Sequence, residues 1–201
     1  MLEEKDRRVV QLLSALPDVF DHKTVLYVGA KVKKRWPKGM LFIDRFSDAG
    51  YEIDILEPWL ANVNGLLQLN KFGRKFKDEV IINPGLFREI IHGSTHEIEK
   101  IDYFDTIKYN VVFWWHGPEH INEKNLIPTI KTLESKASKL VALATPFGFT
   151  KQIAVGGNPF EIHESGLTPS LYDQIGYKWS TWGEEGGRSS NLIGWKRIEN
   201  G

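Results

Sequence analysis

The feature that most constrains the fold is a continuous apolar run, KYNVVFWWHG, at residues 108–117. An apolar run of this length that ends at a glycine is typical of a central parallel strand, because other elements cover such a strand on both faces. Parallel neighbours are joined by long crossover connections, which are usually helices. The run therefore predicts an α/β arrangement in which strands alternate with helices.

The segments around this run show the expected alternation. Strands are indicated by short β-branched and apolar runs, and helices by apolar residues at helical spacing. The third strand is either EVIIN or REIIHG, which periodicity cannot distinguish, and REIIHG is preferred. Together these elements predict a doubly wound, mostly parallel sheet with right-handed crossovers. Further strands are predicted over 24–29, 51–57 and 139–148, and helices over 2–16, 40–50, 58–72 and after a cap at Asn125, with Pro128 in the first turn.

The last part of the chain has a different pattern. LTPSLYDQIG predicts a short helix with Thr168 as its cap, Pro169 at its first position and Gly176 at its end. Two β-like runs come next, YKWSTWG at 177–183 and NLIGWKRI at 191–198, joined by a glycine-rich connection. They predict an antiparallel hairpin rather than another βαβ unit.

Composition narrows the class of protein. The 201 residues include 26 Lys and Arg, 26 Asp and Glu, and no Cys. Balanced charge argues against a nucleic-acid or membrane partner, and the absence of cysteine excludes disulfides, thiolate metal sites and a cysteine nucleophile. We expect a cytoplasmic protein with one domain over residues 1–201, whose first 20 residues hold an amphipathic helix packed on it.

Five motifs in this order resemble class I S-adenosylmethionine-dependent methyltransferases of the small-molecule type. TVLYVGA is similar to the first strand and its glycine turn, YEIDILEPW to the second strand ending in an acidic residue, and REIIHGSTHEI to the third-strand segment. YNVVFWWHGPEHI resembles the fourth strand, KLVALATPFG the fifth, and the segment 158–183 the substrate loop and closing helix. The resemblance implies a Rossmann-like, seven-stranded α/β sheet with a C-terminal antiparallel hairpin, transferase activity and S-adenosylmethionine as cofactor.

The resemblance also implies cofactor contacts. Glu57 would accept hydrogen bonds from the ribose hydroxyls, and Gly29 would let the backbone approach the cofactor. The chain departs from the family after Gly29, where a basic loop, 31–35, replaces the usual further glycines. One of its cations pairs with the cofactor carboxylate or a substrate phosphate, or the loop is only a solvated face. The predicted cofactor-binding residues are Gly29, Ala30, Lys31, Glu57, Pro58, Ser94, Thr95 and Trp115.

Catalytic candidates lie in WWHGPEH, residues 114–120, and in the loop after the fifth strand. His116 and His163 are the candidate general bases, since an ordinary histidine titrates near neutrality, and Glu119 is the third catalytic candidate. His116 and His120 are four residues apart, but the intervening Gly117 and Pro118 argue against helical metal-ligand spacing, so no metal is predicted. The structural alternatives are that His120 packs at a helix start and that His163 is an exposed loop residue.

The favoured function is in-line methyl transfer to an oxygen or nitrogen of a small polar metabolite. A catalytically inactive methyltransferase-like domain that serves binding or scaffolding is the alternative, and the altered turn after Gly29 favours it. A nicotinamide-dependent nucleotide-sugar enzyme fits less well, because the G-x-G-x-x-G pattern is missing and the closing hairpin is unexpected.

Overall fold

The structure is a computed structural model that describes residues 23–30, 50–76, 79–82, 84–182 and 191–198. The chain falls into two compact units, Met1–Gly93 and Ser94–Gly201. The helices predicted over 2–16 and 40–50, apart from the final Gly50, lie outside the described residues, as do Lys31 and the rest of the basic loop 31–35. The single domain over 1–201 stays a prediction.

The first unit contains a parallel sheet and a small separate hairpin. Its described elements are β1 (Thr24–Val28), β2 (Glu52–Glu57), α1 (Leu60–Phe72), β3 (Arg74–Phe76), β4 (Glu79–Ile82) and β5 (Glu89–His92). Strand β2 lies between β1 and β5 and pairs with both in parallel. The choice of REIIHG as the third strand is therefore confirmed, while β4 pairs antiparallel with β3.

Strand β2 is buried on both faces rather than on one. Ile53 and Ile55, which alternate in the sequence with Glu52 and Asp54, are fully buried, but Asp54 and Leu56 are fully buried too. Burial of the Asp54 carboxylate is compensated by a bidentate ion pair with Arg88. Nε and Nη2 of the guanidinium donate to the two carboxylate oxygens at 2.9 and 2.6 Å. Asp54 thus does not mark a solvent face, although Glu52 at the start of the strand is exposed.

Helix α1 starts two residues later than the predicted start at residue 58. Its N-cap is Trp59, so Pro58 precedes the helix instead of opening it. The buried face consists of Val63, Leu66 and Leu69. Leu60 and Leu67 are 54% and 48% exposed, because they lie outside the helix face that packs on the core of the unit.

The second unit combines parallel and antiparallel pairing. Its main elements are β6 (Tyr109–Trp115), α2 (Glu123–Lys136), β7 (Ala137–Pro146), α3 (Pro169–Gln174), β8 (Lys178–Trp182) and β9 (Asn191–Arg197). Strands β6 and β7 are parallel, and β9 pairs antiparallel with both β7 and β8. The predicted C-terminal hairpin is confirmed, and its second strand inserts next to β7.

Of the two predicted helix caps in the second unit, one differs from the structure and one is confirmed. Asn122, not Asn125, caps α2: its side chain accepts a hydrogen bond from the Asn125 amide, and Pro128 lies inside the helix. An N-cap residue has an extended backbone, and Asn122 meets this condition with φ and ψ of −63° and 150°. Asn122 therefore caps the helix in place of the predicted Asn125. For α3 the prediction is confirmed, with the Thr168 hydroxyl accepting from the Leu171 amide at 3.2 Å.

The observed strands agree with the predicted class. Seven strands, three from the first unit and four from the second, form the parallel pairs and the antiparallel ending. This confirms the α/β fold class with a mostly parallel, seven-stranded sheet and a C-terminal antiparallel hairpin. In the described part of the chain, no helix has the length and hydrophobicity that a membrane crossing requires.

Candidate functional site

Gly29 turns the chain sharply at the carboxyl end of β1. Its φ is +76°, in the left-handed region that favours glycine, and its amide donates to the Leu56 carbonyl at 2.9 Å. Among the described residues, a Cβ placed on Gly29 would meet nothing within 4 Å. The left-handed conformation, rather than contact with these residues, therefore requires glycine here. Ala30, next in the chain, is buried.

Glu57 lies at the carboxyl end of β2 with its carboxylate fixed against the start of α1. One oxygen, Oε1, accepts from the Trp59 amide and from the Asn62 side chain, each at 3.0 Å. The residue is only 3% exposed. Both hydrogen bonds favour the charged carboxylate, and the helix N-terminus does so as well. Glu57 is therefore a buried, oriented anion rather than a surface glutamate.

The turn after β6 starts with an unusual backbone conformation. His116 has a φ of 51°, and it is the one non-glycine residue in the described ranges with a positive φ. Its amide donates to the Ala144 carbonyl of β7 at 2.7 Å, which holds the turn against the sheet. Backbone conformations of this kind cost free energy and concentrate at functional sites. The turn directs the imidazole back toward Glu119, whose Oε1 lies 3.3 Å from Nδ1 of His116.

Glu119 is the most deeply buried acid of this turn, at 2% exposure. Its second oxygen, Oε2, has no hydrogen-bond partner among the described residues. Its backbone carbonyl accepts the amides of Glu164 and Ser165, at 2.8 and 3.1 Å. These two bonds tie the loop after β7 to the turn after β6.

That loop brings His163 beside His120. The two ring centroids are 4.9 Å apart, with the rings inclined at 64°. His120 donates from Nδ1 to the Ile162 carbonyl at 3.0 Å, and His163 donates from Nδ1 to the Thr150 carbonyl. One ligand atom each of Glu119, His120 and His163 lies within 4.8 Å of the other two.

The remaining predicted cofactor residues lie on several different segments. Ser94 precedes a short 3-10 helix, Thr95–Lys100, in which Thr95 is buried. Trp115 is 3% exposed and stacks on Phe113, with ring centroids 5.1 Å apart. The Pro58 carbonyl accepts from Nε2 of His92 at 3.0 Å. Cofactor contacts for these residues stay predictions, and Lys31 lies outside the described ranges.

The structure thus brings the three predicted catalytic residues together within the second unit, with His120 beside them. From the sequence, a metal-ligand pair of His120 with His116 is considered and rejected on spacing, and His120 is expected to pack at a helix start. Its approach to His163 could not be predicted, because the two are distant in the chain. The Glu-His dipeptide at 119–120 was the available signal.

Comparison with known proteins identifies the fold. No protein-family model and no curated protein matches the sequence. Several solved structures do match. One is a magnesium protoporphyrin IX methyltransferase from Synechocystis PCC 6803 with bound S-adenosylmethionine, which is 15% identical to this chain with a TM-score of 0.58. The match covers 96% of this chain and 77% of that one. A complex of DhpI with S-adenosylhomocysteine is 11% identical with a TM-score of 0.60, over 94% and 83%. An S-adenosylmethionine-dependent methyltransferase from Archaeoglobus fulgidus is 12% identical with a TM-score of 0.54, over 96% and 95%.

These similarities span nearly the whole chain and several distinct methyltransferases. Identities this low carry information on the fold and not on the substrate. The chain therefore has the fold of the class I S-adenosylmethionine-dependent methyltransferases.

Proposed function

We propose that this chain transfers a methyl group from S-adenosylmethionine to an oxygen or nitrogen atom of a small polar metabolite. The observation that carries the proposal is the pair formed by His116 and Glu119 directly after β6. The histidine side chain is 36% exposed and the carboxylate 2%. A solvent-accessible imidazole held by a buried carboxylate is the arrangement expected of a general base. The fold supports the same conclusion, because similar structures hold this cofactor or its product.

The described residues fit the cofactor. No described residue comes within 4 Å of a Cβ built on Gly29, which would allow a ligand to approach the backbone closely, as glycine at the end of a first strand does in nucleotide-binding α/β folds. A carboxylate can accept about four hydrogen bonds. Glu57 places such a carboxylate at the carboxyl end of β2, where the Trp59 amide and the Asn62 side chain orient it at Oε1.

The residues of the chain would align the reactants and remove a proton. When bound, S-adenosylmethionine supplies an electrophilic methyl group on a sulfonium. His116 would accept the proton of a hydroxyl nucleophile, and Glu119 would hold the ring and stabilise the resulting imidazolium. Alignment supplies the larger part of the acceleration in such transfers.

Calorimetric titration with S-adenosylmethionine and S-adenosylhomocysteine tests cofactor binding. We expect saturable binding of one ligand per chain, weakened about 10-fold or more in Glu57→Gln, because a neutral amide accepts hydrogen bonds less strongly than a carboxylate. Glu89→Gln, on the exposed start of β5, is the matched control and should bind like the unmodified chain. The absence of heat at millimolar ligand contradicts the proposal.

Mass spectrometry tests the transfer itself. The protein is incubated with a metabolite extract and methyl-deuterated S-adenosylmethionine, and labelled small molecules are sought. A labelled sugar, sugar nucleotide or other polar metabolite supports the proposal. Cofactor binding without any labelled product favours the inactive binding domain instead.

A further inference from the structure

We propose that Glu119, His120 and His163 bind a divalent first-row transition metal, such as Zn²⁺, Fe²⁺ or Mn²⁺. Two imidazoles and one carboxylate are a recurrent ligand set for these ions. Their ligand atoms already lie within 4.8 Å of one another. Donors on one metal at bonds of about 2.1 Å are about 3 to 4 Å apart, so the ligand atoms must move closer together by about 1 Å when a metal binds.

Both histidines are held in the tautomer that a metal needs. A carbonyl oxygen can only accept, so the proton is on Nδ1 of His120 and of His163. In the neutral ring this directs the lone pair to Nε2. Metal-ligating histidines almost always donate their other nitrogen to a carbonyl or carboxylate in this way.

Glu119 supplies an independent observation. It is 2% exposed, and Oε2 has no hydrogen-bond partner among the described residues. Burial of a carboxylate oxygen without a partner is costly, and a cation offsets that cost. The contact of Oε1 with His116, at 3.3 Å, is compatible with this role because the two oxygens then have different partners.

The loop after β7 preorganises the ligands. His163 donates its backbone amide to the Gln152 carbonyl at 3.2 Å, and the Ser165 hydroxyl donates to the Pro118 carbonyl at 3.2 Å. The Glu119 carbonyl accepts two amides from the same loop. Three protein ligands leave coordination positions open for water or a substrate oxygen. The metal proposal itself does not depend on methyl transfer.

Zinc titration of chelator-treated protein, in competition with a chromophoric chelator, tests the site. We expect one Zn²⁺ per chain, with affinity lowered at least 10-fold in His120→Gln and in His163→Gln. His96→Gln is the matched control, because His96 is exposed in the same unit and outside the cluster. Its affinity should be unchanged.

Circular dichroism of the metal-free variants shows whether they remain folded. If the glutamine variants unfold, zinc-edge X-ray absorption of the unmodified protein identifies the ligands, with two imidazoles per metal expected. The proposal is overturned if no stoichiometric zinc binds, if His96→Gln weakens binding as much as His163→Gln, or if no imidazole scattering is seen. Loss of cofactor binding with zinc binding retained would overturn only the methyltransferase proposal.

Discussion

Nδ1 of His116 lies 3.3 Å from Oε1 of Glu119, three residues further along the chain. This contact depends on the left-handed backbone of His116, with φ at 51°, which reverses the chain directly after β6. Non-glycine residues rarely adopt this conformation, although histidine and asparagine do so more than most. The cost of the turn is consistent with a side chain retained for chemistry.

Replacing His116 separates chemistry from backbone conformation. His116→Asn keeps a residue that tolerates the left-handed region but removes the base, so we expect kcat for methyl transfer to fall about 10²- to 10⁴-fold. Calorimetry should show cofactor affinity within about 3-fold of the unmodified chain, since proton transfer to the base is used only in the transition state. His96→Asn controls for the substitution, and an unchanged kcat in His116→Asn would remove this residue from the mechanism.

Two glycines should respond very differently to alanine. A Cβ on Gly117 would lie 1.7 Å from Nε1 of Trp114, whereas one on Gly29 would meet no described residue within 4 Å. Gly117→Ala must displace a buried indole, and we expect a loss of about 3 kcal/mol in the free energy of unfolding. Gly29→Ala should cost about 1–2 kcal/mol, from left-handed strain alone. Urea unfolding measures both losses, and equal losses would contradict the packing argument.

Buried tyrosines predict instability in alkali. Burial raises the pKa of Tyr172 far above its ordinary value of 10.0, and the charge of Glu119 raises it further. The folded state keeps this proton, while the unfolded state loses it above pH 10.0. Stability is therefore fully present below that pH and falls above it, by up to about 1.4 kcal/mol per pH unit for each such group.

Tyr172→Phe tests this assignment. The hydroxyl is buried without a hydrogen-bond partner among the described residues, so its removal should be nearly neutral close to pH 7. Above the ordinary tyrosine pKa the variant should lose stability less steeply than the unmodified chain. Urea midpoints across the alkaline range measure the difference, and parallel curves would count against it.

The ion pair of Asp54 and Arg88 should contribute measurably to stability. Asp54 is fully buried and the Arg88 side chain is 37% exposed. Arg88→Met removes the cation from beside a buried carboxylate, and we expect a loss of about 2 kcal/mol, below the usual value for fully buried pairs because the arginine is partly solvated. Replacing both residues, as Asp54→Leu with Arg88→Met, should recover most of that loss.

Glu52 provides the control for this pair. It contacts the same arginine at 2.8 Å but is 60% exposed, so Glu52→Gln should change stability by less than about 1 kcal/mol. Thermal or urea unfolding of the variants separates the two contributions. A loss in Glu52→Gln equal to that in Arg88→Met would place the effect at the surface.

Most of the strand and helix pattern was predictable from local periodicity. The apolar run of β6, the Thr168 cap of α3 and the C-terminal hairpin all depend on residues within a few positions of one another. The errors were also local and small: Asn122 replaced Asn125 as a cap, and Pro58 precedes α1. Several nearby residues can serve as the N-cap of one helix. Which of them does so depends on the backbone conformation, which tertiary packing sets.

The candidate site was predictable only as separate residues. His116, Glu119 and His163 could be named from the sequence, but the approach of His163 to His120 could not, because loop carbonyls at Thr150 and Ile162 position the rings. Likewise the ion pair of Asp54 with Arg88 joins two residues that are distant in the chain, so the sequence could not predict it. Local sequence patterns were enough to predict the order of elements and the types of side chain at the strand ends. Tertiary structure alone decided which side chains meet, because those contacts join distant segments and depend on angstrom-scale placement of backbone.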